Sequence, residues 1–105
     1  MKLEICGVRE ITHPKPEEIE REIMGLDTSA LDAFLILSSP DGRFVQTTGD
    51  VRIGFHLEYQ DGGLDRHFRA SGESVGVELV IKVFCAFATG ETSLEDLTHW
   101  EKMEI

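Results

Sequence analysis

The chain has 105 residues, with 20 acidic and 10 basic side chains and a formal net charge of −10. At 41% hydrophobic and 29% charged it has an ordinary globular composition. That excludes disordered, collagen-like and coiled-coil classes and predicts a single domain over residues 1–105.

A surface of this sign repels nucleic-acid phosphates and anionic membranes and attracts cations. The partner expected is therefore a basic protein, with no nucleic acid and no membrane; a homodimer is also admitted. No apolar run approaches the roughly 18 residues of a membrane span. The N-terminal Met-Lys-Leu-Glu-Ile-Cys carries a charge inside its apolar segment and no cleavage-site pattern, which predicts a cytoplasmic protein without a signal peptide. Cys6 and Cys85 then read as two buried thiols rather than a disulfide. No CxxC or Cys-His spacing suggests structural zinc, so no metal and no cofactor is expected.

In chain order, residues 2–12 alternate loosely and predict one strand with a weak point at Gly7. His13-Pro14-Lys15-Pro16 stops it. Pro16 suits a first helical position, and Glu17 and Glu18 complement a helix N-terminus. Ile19, Ile23 and Leu26 share one stripe, which predicts a helix over 16–24 ending near Gly25. Residues 33–38 are apolar on both faces and read as a central strand covered on both sides. Ser39-Pro40-Asp41-Gly42 is a tight-turn signal. A half-exposed strand returns over 43–48, and Gly49-Asp50 turns the chain again.

Residues 54–70 carry the strongest pattern, two alternating arms about Asp61-Gly62-Gly63. Phe55, Leu57, Tyr59, Leu64, Phe68 and Ala70 fall on one face, with Arg66 as an intruder. His56, Glu58, Asp65, His67 and Arg69 fall on the other. A loop centred on Gly62-Gly63 pairs Glu58 with His67 and His56 with Arg69, avoiding the Glu58–Asp65 repulsion of the alternative register. Residues 73–90 are β-branched but too long for a strand; Leu79, Val80, Val83, Phe84 and Phe87 align as one helical face, and Gly90 stops it. Ser93 and Asp96 resemble a capping box for a short helix, with Leu94, Leu97 and Trp100 as apolar cover. The fold class expected is α+β: strand, helix, four-strand meander, helix, with an antiparallel sheet of about five strands and both helices on one face. The first strand, entering by a helical crossover, is expected parallel to the 33–38 strand if the two are neighbours.

The polar hairpin face, His56, Glu58, Asp65, His67 and Arg69, is the candidate site. It reads as a solvated face of charge pairs, as a recognition surface, or as a metal or acid-base site. No spacing fixes a ligand set, and Arg69 disfavours a cation. The glycines at 62–63 precede no helix and carry no Walker lysine, so they are not a phosphate loop.

Phe34-Leu35-Ile36-Leu37, the segment Phe55-His56-Leu57-Glu58-Tyr59-Gln60-Asp61-Gly62, the arm Asp65-Arg66-His67-Phe68-Arg69-Ala70 and the terminal Trp100-Glu101 resemble small bacterial immunity proteins of polymorphic toxin systems. The resemblance spans roughly residues 30–101 and implies an acidic, non-enzymatic α+β inhibitor of a basic toxin. Carboxylates on the hairpin face and on the 16–24 helix would steer the toxin, with Tyr59 or Trp100 as anchors. The alternative is a metal-binding protein or small enzyme using the hairpin's polar face.

Overall fold

The structure is a computed structural model describing residues 1–29 and 33–103. Its strands are β1 (Lys2–Ile5), β2 (Arg9–Thr12), β3 (Phe34–Ser38), β4 (Phe44–Asp50), β5 (Gly54–Gln60), β6 (His67–Ala70) and β7 (Trp100–Lys102). Two helices, α1 (Pro16–Met24) and α2 (Val77–Thr89), accompany them. The strands form one antiparallel sheet in the order β2-β1-β3-β4-β5-β6-β7. The α+β class and the helix positions match expectation. The sheet gains two short edge strands beyond the five expected.

One comes from residues 2–12, which are a hairpin rather than one strand. Cys6 and Gly7 both take positive φ, 53° and 73°, and the Val8 N–H bonds Ile5 O at 3.1 Å. That is a β-turn at Cys6-Gly7 within a three-residue connection, since Ile5 faces Arg9 and Val8 is left as the extra residue. The expected parallel pairing fails for the same reason: β1 is antiparallel to β3. The strand that feeds α1 is β2, and β1 lies between it and β3. The other addition is β7, which pairs with β6. Both edges are short and charged, which blunts edge-to-edge pairing.

One hydrophobic cluster joins the two helices to one sheet face. Ile19 and Ile23 of α1 and Val80, Val83, Phe84 and Phe87 of α2 meet Leu3, Leu35, Leu37, Val45, Phe55, Leu57 and Tyr59. The buried positions of α2 recur at i, i+3, i+4 and i+7, which is why this β-branched segment is a helix. Glu18 closes the start of α1, its Oε1 accepting the Lys15 N–H at 2.9 Å. Among the described residues no helix lies over the opposite sheet face, so Phe34 and Ile36 of β3 stay half-buried instead of covered on both sides. The Ser39–Gly42 turn forms as expected, its Gly42 N–H bonding Ser39 O at 3.1 Å.

The turn expected at Gly49-Asp50 lies one step later, at residues 51–53, with both residues inside β4. Asp50 causes the shift. It is fully buried and accepts hydrogen bonds from the N–H groups of Thr28, Arg52 and Ile53, the Thr28 hydroxyl and the Arg52 guanidinium. These donors, the Thr28 N–H and hydroxyl above all, hold its carboxyl far below the usual carboxylate range. The 93–96 segment is a single 3₁₀ turn, Leu94–Asp96, with no side-chain cap from Ser93. Cys6 and Cys85 are free and half-buried rather than buried.

Candidate functional site

Antiparallel register sorts the uncovered face into cross-strand rows. One holds Phe34, Thr48 and His56; the next holds Glu10, Glu4, Ile36, Gln46, Glu58, Arg69 and Glu101; the third holds Thr12, Lys2, Ser38, Phe44, Gln60 and His67. The β5–β6 register differs from the expected one by two residues: Glu58 faces Arg69, and His67 faces Gln60. A six-residue connection replaces the tight turn. The Asp61 N–H bonds Arg66 O at 2.9 Å, and Arg66 Nη2 reaches Asp61 Oδ2 at 2.5 Å. A two-residue slip keeps every side chain on its face, so the faces read from the sequence hold while the partners change.

His67 meets Glu58 all the same, diagonally. Its Nε2 lies 2.6 Å from Glu58 Oε1 and its Nδ1 lies 3.0 Å from Gln60 Oε1. The ring is 5% exposed and packs beside Phe44 at 6.1 Å between centroids. Gln46 Nε2 donates to the same Glu58 oxygen at 3.0 Å. Gln46, Gln60 and Phe44 were not singled out from the sequence; their alternation on β4 and β5 was the available signal.

The remaining candidates separate. Arg69 pairs with Glu101 at 2.7 Å on β7, and His56 is exposed on the same face without joining the His67 network. Asp65 does not lie on this face; it sits in the 3₁₀ turn Leu64–Arg66, outside the sheet. Tyr59 and Trp100 lie on the helix-covered side, where Trp100 meets Tyr59 edge-on at 4.8 Å and donates its Nε1–H to Leu94 O at 2.8 Å. Tyr59 is 7% exposed, so it is no surface anchor on the hairpin's polar face.

Chemically the network is a closed one. Both His67 nitrogens and the inner Glu58 oxygen are engaged within the protein. Among the described residues no group of three or more His, Cys, Asp or Glu side chains converges as a ligand set. This face carries four carboxylates (Glu4, Glu10, Glu58, Glu101) against two permanent cations (Lys2, Arg69). The helix layer is different. Residues 16–24 and 77–96 carry eight carboxylates (Glu17, Glu18, Glu20, Glu22, Glu78, Glu91, Glu95, Asp96) and two cations, Arg21 and Lys82. Lys2, Arg9, Arg43, Arg52, Arg66 and Arg69 are already ion-paired.

Comparison of the chain with protein-family models, curated proteins and solved structures finds no match. Among the described residues no helix is long and apolar enough to cross a membrane.

Proposed function

We propose that this chain is a non-enzymatic, cytoplasmic binding protein that captures a basic protein partner, most concretely an immunity-type inhibitor of a basic toxin. The observation that carries this reading is the uneven charge: eight carboxylates against two cations on the helix layer. Most arginines are neutralised by ion pairs, and six of the eight helix-layer carboxylates, Glu17, Glu20, Glu78, Glu91, Glu95 and Asp96, are exposed. Such a field raises the encounter rate with a cationic protein and falls off within a Debye length, about 10 Å at 0.1 M salt. The closed His67–Glu58 network favours a structural role for the uncovered face over acid-base chemistry, which needs a group free to exchange its proton.

The test begins with the neighbouring genes: a basic toxin domain encoded among them is co-expressed with this chain, and the purified pair is followed by calorimetry. Protection of growth and a complex weakened by added salt are expected. A combined Glu17→Lys and Glu20→Lys variant should weaken binding at least about tenfold, or about 1.4 kcal/mol. Absence of both protection and a complex overturns the proposal.

A further inference from the structure

Where α2 ends, the helix layer and the sheet enclose a depression of about 330 Å³. Phe87 and Leu94 supply apolar wall, and Tyr59, Asp61, Arg43 and Glu95 also line it. The Tyr59 ring is locked in place, stacked on Phe68 at 5.0 Å and met edge-on by Trp100. Trp100 in turn ties down the Leu94 turn through its indole N–H. The wall is therefore built rather than loose.

Tyr59 is more than nine-tenths buried, yet its hydroxyl has no hydrogen-bond partner among the described residues. Among those residues Ser71 Oγ is the polar side-chain atom both sealed from solvent and unpartnered. The Tyr59 hydroxyl is thus not sealed; it reaches solvent through the depression it lines. A hydroxyl without a protein partner that opens only into a depression is free to exchange solvent water for a ligand group there.

The charges around it select the sign of that group. Arg43 is held by Asp41, Nε to Oδ2 at 3.0 Å, and lies 5.7 Å from the Phe87 ring centre. Arg66 is held by Asp61 at 2.5 Å. Each pair is neutral by itself. Glu95 is exposed and has no ion-pair partner among the described residues. The last turn of α2 carries no basic residue, so its carbonyls add partial negative charge. Burial first, then the charges of Glu95 and Asp61 against that of Arg66, push the Tyr59 phenol up; with Asp61 paired to Arg66, Glu95 is the unpaired charge beside the hydroxyl.

We infer that this depression is a socket for one cation on an alkyl stem, the ammonium or guanidinium of a lysine or arginine side chain presented by a basic protein. The stem packs against Phe87 and Leu94, the headgroup donates to the Tyr59 hydroxyl oxygen, and Glu95 supplies the countercharge. The volume sits at the low end of small-ligand pockets, about 300–1,000 Å³, which suits one side chain. An anion would meet Glu95 and the helix terminus. The inference deepens the basic-partner reading, on which it rests for the source of the cation.

The test is an amide NMR titration of the full chain with N-acetyl-lysine N-methylamide, N-acetyl-arginine N-methylamide, agmatine and the neutral N-acetyl-norleucine N-methylamide. Saturable shifts centred on Asp61, Gly90 and Glu95 are expected for every cation, with Kd on the order of a millimolar, and none for the neutral compound. Glu95→Gln should weaken binding about fivefold and Tyr59→Phe about threefold. If Tyr59→Phe fails to fold, Glu95→Gln decides, since it alters an exposed position of the 3₁₀ turn. Shifts spread evenly over Glu10, Glu17 and Glu20, equal binding of the norleucine compound, or no saturation by about 50 mM overturns the socket. A tenfold preference for agmatine over N-acetyl-arginine N-methylamide, which carries the same guanidinium on a capped backbone, assigns the site to a small free amine and overturns the side-chain assignment. No toxin enters this experiment, so loss of the protein-partner reading leaves its outcome legible.

Discussion

Replacing Gly49 by alanine should be among the most damaging single-methyl changes in this protein. Gly49 lies inside β4, opposite Phe55, with φ at +121°. A Cβ there would lie 2.2 Å from Gly54 O and 2.9 Å from Phe55 Cα, both backbone atoms of the neighbouring strand. Neither can rotate away, so β4 and β5 must separate by about an ångström or more where their ladder closes. The positive φ costs about 1–2 kcal/mol for an L residue, and forced overpacking adds about 1–3 kcal/mol. The expected loss is about 2–5 kcal/mol, against about 5–15 kcal/mol of total stability for a typical domain. Thermal unfolding followed by circular dichroism should show a Tm at least about 10 °C lower. Gly62→Ala is the control: φ is +96°, but nothing lies within 4 Å of its Cβ. It should carry the conformational cost alone, about 1–2 kcal/mol. If the two variants melt within about 2 °C of each other, the steric reasoning is refuted.

Acid should destabilise the fold through Asp27, Asp41 and Asp50. All three have carboxyls held below the usual range: Asp50 first by Thr28, Asp27 first by Ser29, Asp41 first by Ser39. Because their folded pKa values are depressed, their stabilisation is present above about pH 4 and lost as pH falls below it. The Tm should drop between about pH 5 and 2.5, and Asp50→Asn should melt lower at neutral pH with a shallower acid limb; a parallel limb counts against the assignment. His67→Ala strips partners from Glu58 and Gln60 and should cost about 1–3 kcal/mol in urea unfolding; an unchanged midpoint would show that the network is energetically idle. Burial, and secondarily the charge of Glu20, push the Cys85 thiol up. In a Cys6→Ser background its reaction with a disulfide reagent near about pH 8 should be at least about tenfold slower folded than in urea, and equal rates would contradict the shift.

What the sequence by itself determined is whatever depends on local period. The apolar recurrence of 77–89 outweighed its β-branched composition, Pro16 with the following glutamates placed the start of α1, and strict alternation assigned residues 55–59 to their faces. Each of these is decided within a few residues, because helix and strand periods are backbone geometry. Tertiary structure decided what alternation leaves degenerate. A two-residue slip preserves both faces, so only the Asp61–Arg66 loop contacts chose the register that sets His67 against Gln60 and diagonally against Glu58. Cys6-Gly7 is an uncommon pair for a tight turn, and it formed one because Cys6 donates its N–H to Phe34 O at 2.9 Å, across the sheet. Trp100 became part of an edge strand because β6 offered an unpaired ladder and Leu94 O an acceptor for its indole. The candidate site follows the same division. The polar residues of the hairpin were legible as a face; that the carboxylate excess sits on the helix layer, with the Tyr59 hydroxyl opening beside Glu95, depends on contacts among segments far apart in the chain, which no local period encodes.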